Sequence, residues 1–599
     1  MDESSSRGEL SRTGRFNASH LISVLFVIVA MCLLLYGSSS QNRMQDVFGK
    51  TTYYILWIMF LVWIVQCSLF LESIAFSWKT FLRDVWPVML LALILTIITA
   101  VTNHPKLRVL SDETNLASIS RSMIDSKTVF NYTIGKNYYF TFNPIIAELD
   151  KRTMLFPFFV HFLHIIRGYA VNNLFLFNLM LHFTLLSSVG ILVRHTYNRI
   201  NDQKSNHVWI AAVILVFLCP ILTLTATSGG FDLLSACFLG WTFVVLGQFI
   251  QHQTTESFAF LWMNLLLLAH TRYESFVFSV IIIAGLLFFR RLDKQLFIRF
   301  SHVYLVTPLA LVPLVFQRIL CRSKFEQPPG VDAFSAKHFI ANIRHFFEVI
   351  SDTTFFFPYP GLLLWLCLIL IPFLLSAFLR RTLLSDNTGH RQLVYIVLGC
   401  LSVYLLIVFS YYFGDPRHPT AARFFVLPVV AMALAPIIAH RVWPVIFSQR
   451  LLLTGATGLL LLYFPVTSGD RFTQSLELIR ETEHVQSFLE QLKNKNIFIV
   501  TDRPGIYTAF EYGASDFEYA NKHKNELLVE LKNNLYGDII VIQHVAYSDY
   551  KPVTTQVLDS EFILNPPLAE YQITGSYFLR ISKINKLADM AAKIATDKI

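Results

Sequence analysis

The sequence predicts a polytopic α-helical membrane protein of about thirteen transmembrane helices with a small C-terminal α/β soluble domain, and three observations carry that prediction. Of 599 residues, 54% are hydrophobic and only 15% charged, with 54 phenylalanines. A soluble chain of this length would divide into several domains bearing more surface charge. Apolar runs long enough to cross a bilayer recur as far as Pro465. Lysine and arginine gather at alternate ends of those runs, as they do on the cytoplasmic side of a membrane.

Taken in order, residues 1–19 form a polar, basic tail (Arg7, Arg12, Arg15), and residues 20–466 form the membrane domain. The predicted spans are Leu21–Tyr36, Tyr53–Phe76, Val85–Thr102, Asn172–Val193, Val208–Thr225, Leu233–Gln251 and Phe258–His270. They continue with Ser275–Phe289, Val303–Arg318, Leu362–Leu379, Val394–Phe413, Phe425–His440 and Leu451–Pro465. The first run lacks a small-residue cleavage site and is followed by further spans, so it reads as a retained helix rather than a signal sequence. With the N-terminus cytoplasmic, Lys79, Arg83, Arg194, Arg199, Arg290, Arg291, Arg380, Arg381 and Arg441 all fall inside. The loop 103–171, a second long loop 321–361 and the region 467–599 then fall on the far side.

The net charge of +9 does not indicate nucleic acid, because the basic residues flank apolar runs and form no basic and aromatic stripe. Seven cysteines are scattered without a CxxC pair; six lie inside apolar runs and read as small hydrophobes.

The loop 103–171 is the most informative stretch. Leu116, Ile119 and Met123 recur at helical spacing, a polar and aromatic stretch follows through Pro144, and Met154–Arg167 forms a second apolar helix. At about fourteen residues that helix is shorter than the ~20 needed to span, so it is expected along the membrane surface. The first helix is headed by the adjacent acids Asp112 and Glu113. Ser111 could cap it, with both acids favoured by the helix dipole. Paired carboxylates just beyond a membrane span also mark a place where water, a cation or a reacting group must meet them. On this loop alone both readings stand, and they are compatible.

Three further turns carry charge to the same face. Asp232 ends the run ThrSerGlyGlyPheAsp, Arg272 and Glu274 sit between two spans, and Asp415, Arg417, His418 and Arg423 follow another. Each alone is a common interfacial anchor. Together they bring carboxylates, suited to an acceptor hydroxyl or amine, beside guanidinium forks suited to a phosphate.

Asp112, Glu113, Ala117, Ile119, Arg121 and Met123 match the pattern Asp-Glu-x-x-x-Ala-x-Ile-Ala-Arg-x-Met, with Ser120 at the usual alanine. The Asp232 turn and Arg423-Phe424-Phe425-Val426-Leu427-Pro428 add to it. In these features residues 80–440 resemble the GT-C superfamily of polyprenyl-phosphate-sugar-dependent glycosyltransferases, in particular bacterial protein O-mannosyltransferases and lipid A aminoarabinose transferases. Where those families carry Lys-Pro-Pro-Leu, this chain has Lys151-Arg152-Thr153-Met154-Leu155-Phe156-Pro157.

The resemblance implies a GT-C type fold and an inverting glycosyltransferase that moves a hexosyl or pentosyl group from a polyprenyl-phosphate donor. The acceptor would be a lipid, glycan or protein. Asp112 would be the general base and Glu113 would orient it. Arg272, Arg417, Arg423, Lys151 and Arg152 would hold the donor phosphate, with Asp232, Glu274, Asp415 and His418 supporting. His161 and His164 read as structural. A divalent metal bridging Asp112 and Asp232 to the phosphate is not favoured, and no cofactor is required. The expected location is a bacterial inner membrane, with the region 467–599 periplasmic. A transporter or flippase of a lipid-linked sugar, or an inactive GT-C-like scaffold, are the alternatives. Charges at one surface rather than the midplane, and no internal repeat, argue against transport.

Residues 467–599 alternate helix and strand: helix Phe472–Lys493, strand Asn496–Val500, helix His523–Asn533, strand Asp538–Ile542, and strands over Glu561–Asn565 and Tyr571–Ile584. The expected role is a lid or acceptor-docking domain, with Arg503 a minor candidate for contact with acceptor or donor. In 321–361, Phe339, Ile340, Ile343, Phe347 and Ile350 fall at helical spacing, as in an interfacial helix or a gate.

Overall fold

The structure, a computed structural model, describes residues 28, 41–74, 76–108, 110–138, 141–198, 207–292, 307–313, 317–322, 330–354, 356–379, 388–469, 472, 477–492, 496–554 and 557–585. The tail 1–19, the span Leu21–Tyr36 apart from one residue, and parts of Val303–Arg318 lie outside these.

Six described helices are long and apolar enough to cross a membrane: Met44–Ser73, Phe81–Thr102, Asn172–Arg194, Asp232–His252, Arg391–Ser410 and Ala422–Val442. The pair Val208–Phe217 and Pro220–Ala226 is long and apolar enough only when taken together, and it is bent by 71°. Pro220 explains the bend, since it has no N–H for the ladder and its ring crowds the preceding turn. The predicted spans Phe258–His270, Ser275–Phe289 and Leu451–Pro465 form apolar helices of 14 or 15 residues, and Leu362–Leu379 lies in the 19-residue helix Gly361–Leu379. The count of about thirteen is therefore not reached among the described residues. The protein is an integral membrane protein by the length and composition of these helices.

Side chains at the breaks set where several helices begin. Thr254, Ser335 and Ser448 each accept a hydrogen bond from the backbone N–H three residues on, which satisfies one orphan donor of the first turn. The bent pair is almost wholly buried at the centre of the bundle. The helix Gln41–Ser73 instead exposes Tyr54, Ile58, Leu61 and Val65, a face suited to lipid.

The loop 103–171 contains the helix Leu110–Asp125, the strands β1 (Phe130–Tyr138) and β2 (Thr141–Leu149), and the juxtamembrane helix Leu155–Arg167. The helix begins before Ser111, so Ser111 lies inside it rather than at its cap. The polar and aromatic stretch is thus a hairpin, and it is not a separate unit. It joins five strands of the C-terminal region: β3 (Ile497–Thr501), β4 (Gly513–Ser515), β5 (Asp538–Ala546), β6 (Ala569–Gln572) and β7 (Tyr577–Lys583). The order is β2-β1-β4-β3-β5-β7-β6 in one seven-stranded sheet. β3 runs parallel to β4 and β5, while β1 and β7 flank this centre antiparallel.

β3 and β5 read as continuous apolar runs because both their faces are covered. The predicted strand Glu561–Asn565 is only a single bridge, Leu564 to Ile584. Tyr571–Ile584 divides into the hairpin of β6 and β7. Asn131-Tyr132-Thr133 has the pattern of an N-glycosylation acceptor, but Asn131 lies buried in β1, which closes it to modification in the folded chain.

The joint between loop and C-terminal region is polar as well as apolar. Lys136 of β1 is fully buried and donates to Glu526 (2.5 Å) and Glu530 (3.0 Å) of the helix Lys524–Lys532. The short helix Pro504–Ala509 packs on Leu110–Asp125. Thr508 donates to the Tyr132 carbonyl (2.8 Å) and Tyr169 donates to the Ala509 carbonyl (2.6 Å).

Candidate active site

Four turns converge on the start of the helix Leu110–Asp125, and their charged side chains form one alternating chain. Its members are Glu274, Arg272, Asp232, Arg423, Asp112, Arg152 and Asp150. Asp112 stands between two of the arginines. Its Oδ1 accepts from Arg152, through Nε at 3.1 Å and also through Nη2, and its Oδ2 accepts from Nη2 of Arg423 at 2.6 Å. Nη1 of Arg423 lies 3.7 Å from Oδ2 of Asp232. Arg272 pairs with Asp232 and grips Glu274 with two bonds, at 2.8 and 3.3 Å.

The energetics favour full ionisation. Burial alone would raise the Asp112 carboxyl, but the Arg423 and Arg152 guanidiniums overcome it and hold the group well below the usual carboxylate range. Burial pulls Arg152 the other way, and Asp150 and Asp112 raise it above its ordinary value. The Phe424 ring is near two cations, 5.0 Å from the Arg272 guanidinium and 5.4 Å from that of Arg423. The ring attracts both.

Glu113 does a different task from its neighbour. It is fully buried, and it accepts from the backbone N–H of Arg108 (2.5 Å) and of Gly229 (2.8 Å). It therefore ties the entry to its own helix to the SerGlyGly turn that presents Asp232. A Cβ at Gly229 would stand 3.2 Å from the Glu113 Cβ and as close to Leu174, so any larger residue would require these neighbours to give by a few tenths of an ångström. Asn178 donates to the carbonyls of Ser228 (2.7 Å) and Gly230 (2.8 Å) and fixes the same turn.

A cleft opens beside this chain, lined by Arg108, Glu113, Asp232, Arg417 and Arg423, with Phe356, Phe357 and Pro358 on its apolar side. It encloses about 740 Å³, including its open mouth. Asp112 is not on the wall; it is reached through Arg423.

Of the residues singled out in the sequence, Asp112, Arg152, Asp232, Arg272, Glu274 and Arg423 meet in the chain. Lys151 adjoins it through its carbonyl, which accepts from the Tyr273 hydroxyl. Arg417 sits at the mouth, paired with Asp415 (3.0 Å) and Glu348 (3.3 Å). His345 lies 3.1 Å from Asp415. His418 shares a hydrogen bond with Thr420 (2.7 Å) and faces away from the chain, against Phe413. His161 packs among Tyr53, Trp57 and Phe162. His164 is held between Ser120 (2.9 Å) and Asn173 (2.7 Å), which gives the serine at the alanine position of the motif a structural partner. Arg503 lies in the C-terminal region, bonded to Glu481 (3.4 Å).

Sequence reasoning missed Arg108 and Asp150. Arg108 donates to the Leu224 carbonyl (2.9 Å) and lines the cleft. Asp150 fixes Arg152 through its backbone N–H (2.8 Å) and Nη1 (2.7 Å), and itself accepts from Asn115 (2.8 Å). The signal for Arg108 was present in Lys106-Leu107-Arg108, just before the acids. Asp150 offered only its place before Lys151. Among the described residues no group of three or more His, Cys, Asp or Glu side chains is placed to hold a metal ion. Asp112 and Asp232 are bridged by Arg423.

The fold and site define an integral membrane protein with a buried acid and arginine chain beside a cationic cleft. No protein-family profile matches the chain, and no curated protein matches it. Among solved structures it is similar to ArnT from Cupriavidus metallidurans bound to undecaprenyl phosphate, at 12% identity and a TM-score of 0.47, over 86% of this chain and 99% of that one. It is also similar to the apo state of the same protein, at 12% identity and a TM-score of 0.38, over 85% and 98%. They are of the group to which the residues around Asp112 bear their resemblance. At these scores the likeness assigns no function, which is argued from the site.

Proposed function

We propose that this protein is an inverting glycosyltransferase that moves a sugar from a polyprenyl-phosphate donor to an acceptor on the non-cytoplasmic face of a bacterial inner membrane. The observation that carries the reading is Asp112, an ionised carboxylate held between Arg152 and Arg423 while Arg423 also lines a cleft with Arg108 and Arg417. A carboxylate next to convergent guanidiniums supplies both halves of such a transfer.

In this reading the acceptor oxygen or nitrogen attacks the anomeric carbon and its proton passes to Asp112. The bond from that carbon to the phosphate oxygen breaks, and its electron pair stays on the phosphate. Arg423, Arg417 and Arg108 stabilise the charge that develops there. Arg272 is spent on Asp232 and Glu274, so its role is to hold that wall rather than to touch the donor. Lys151, Arg152, Asp415 and His418 support the site, Glu113 fixes its backbone, and the chemistry as written uses no metal.

The test is Asp112→Asn in membranes supplied with radiolabelled polyprenyl-phosphate sugars. Transfer is expected to fall by roughly 10²–10⁴-fold, the contribution of a general base. Unchanged transfer would remove Asp112 from that role. Donor binding without transfer to any acceptor would favour a flippase.

A further inference from the structure

The buried chain sets four carboxylates, Glu274, Asp232, Asp112 and Asp150, against three guanidiniums, Arg272, Arg423 and Arg152. It ends in an acid on either side. A base at Asp112 has to take up a proton and lose its charge while two arginines stay beside it. A buried guanidinium left without a counter-charge is costly, and that cost would oppose the transfer.

Each arginine beside Asp112 has a second carboxylate. Arg423 faces Asp232 at 3.7 Å, and Arg152 donates through Nη1 to Asp150 at 2.7 Å. When Asp112 is neutral, three acids of the chain remain for three arginines, and each arginine keeps one.

The Arg152 side is fastened from both ends. Asp112 takes the Nε and Nη2 edge of its guanidinium, and Asp150 takes Nη1. Asp150 is buried with both oxygens engaged. Its Oδ1 accepts from the Arg152 backbone N–H (2.8 Å), and its Oδ2 accepts from Asn115 (2.8 Å) as well as from Nη1. Its carbonyl accepts from Gln317 at 2.7 Å. Asn115 lies one turn after Asp112 on the helix Leu110–Asp125, so the two share a face. Arg152 is thereby registered to the helix of the base by a route that does not pass through Asp112.

We infer that Asp150 is a positioning residue for the transfer: it holds and balances Arg152 while Asp112 carries the acceptor's proton, so that the base can be neutralised inside a buried ion chain. The inference rests on the reading of Asp112 given above. As the acceptor's lone pair forms the bond to the anomeric carbon, its proton moves to Asp112 and the phosphate leaves with the electron pair of the broken bond. Asp150 keeps Arg152 paired through that step. At rest it draws on the same guanidinium, which makes Asp112 a better proton acceptor than it would be with Arg152 to itself.

Two mutant cycles on the full-length protein test this. The first reads thermal unfolding in detergent and needs no substrate. Asp112→Asn stands for the neutral base. It should lower the melting temperature about twice as far, or more, in an Asp150→Asn background as in the native one, because Arg152 then loses both carboxylates. Failure of the double variant alone to fold is the same result. The second cycle reads transfer per folded molecule from radiolabelled polyprenyl-phosphate sugars in membranes. Asp150→Asn should lower the saturated rate about tenfold and change the donor KM by less than about twofold. In an Arg152→Gln background the same substitution should cost less than about twofold, since the charge to be balanced is gone. If Asp150→Asn does not fold by itself, adding Arg152→Gln should restore folding, because the pair is then removed as a unit.

Additive losses of stability would overturn the inference. So would a native rate in Asp150→Asn, an equal fall in the Arg152→Gln background, or a paired variant that still fails to fold. Binding of farnesyl phosphate, with farnesol as its uncharged control, keeps the underlying reading separate. If the native protein binds the first no better than the second, the glycosyltransferase reading itself falls, whatever the cycles give.

Discussion

Two clusters of buried charge can be compared in this chain. One is the sequence from Glu274 to Asp150 through three arginines at the membrane domain. The other lies in the C-terminal region, where His544 of β5 stands 3.0 Å from Glu481 and 3.3 Å from Asp502, with Arg503 beside both. Both are buried, and both link separate elements. Only the first supplies residues to the cleft. Burial of charge by itself therefore does not mark a site; an open wall does. The clusters differ in titration as well. The first is built on guanidiniums, which keep their protons at any ordinary pH, while the second turns on a histidine.

The largest expected effect breaks the first cluster alone. Arg272→Ala leaves Asp232 and Glu274 buried without their shared cation, at a cost of about 3–5 kcal/mol. Thermal unfolding in detergent should show it, while hydrogen exchange in the helix Glu477–Gln491 stays as in the native protein.

The second effect belongs to the other cluster and depends on pH. Burial lowers the His544 imidazole, but Asp502 and Glu481 outweigh it and raise the group from 6.5 to about 9. A raised folded value means that protonation favours the fold. The contribution, up to about 3 kcal/mol, is complete below pH about 6.5 and is lost as pH rises through about 9. Exchange in Glu477–Gln491 and β5 should accelerate across that window, and His544→Gln should flatten the dependence. Asp112 is shifted the opposite way, so its contribution is lost only in acid below the ordinary carboxylate range. The membrane-domain cluster is expected to be level between pH 6.5 and 9.

A smaller effect separates the two acids of the pair. Glu113→Gln replaces one accepting oxygen with an amide NH2, a donor that faces a backbone N–H, at about 1–3 kcal/mol. Stability should drop and transfer should fall with it, whereas Asp112→Asn, which also leaves Arg152 and Arg423 without their shared charge, should lower transfer per folded molecule well beyond its loss of stability. The smallest effect lies at the rim. Arg417→Ala breaks partly exposed pairs to Asp415 and Glu348 and should change stability by no more than about 1 kcal/mol, while weakening farnesyl phosphate binding.

These contrasts show what the sequence could reveal. Local patterns were legible: the helix headed by Asp112, the juxtamembrane helix ending at Arg167, the capped helix Ala336–Ile350, and the central strands β3 and β5. The meeting of Asp112, Asp232, Arg272 and Arg423 was legible too, because charge alternation put their turns on one face. What was hidden depends on partners far apart in the chain. The stretch before Pro144 alternates as a strand does, but β1 finds its neighbour β4 only in the C-terminal region. Glu113 looks like the twin of Asp112 in sequence, yet successive helix positions point in different directions, so it meets backbone where Asp112 meets arginine. Asp150 could not be read as the anchor of Arg152 without the turn that folds one onto the other. The bend at Pro220 was not legible in the apolar run that contains it, because hydropathy measures composition and not the direction of the axis.

The shared sheet also sets an order of assembly. Gly135 in β1 pairs with Ala514 in β4, and at a synthesis rate of 5–20 residues per second the first strand waits on the order of tens of seconds for the second. During that interval the hairpin presents an unpaired edge, the kind of surface that recruits wrong partners. The helix carrying Asp112 likewise lacks the support of Pro504–Ala509 until that late segment arrives. Maturation of the site is therefore tied to a segment made long after it, and a truncation before β4 that leaves the described membrane helices intact would still strand the hairpin with its edge open.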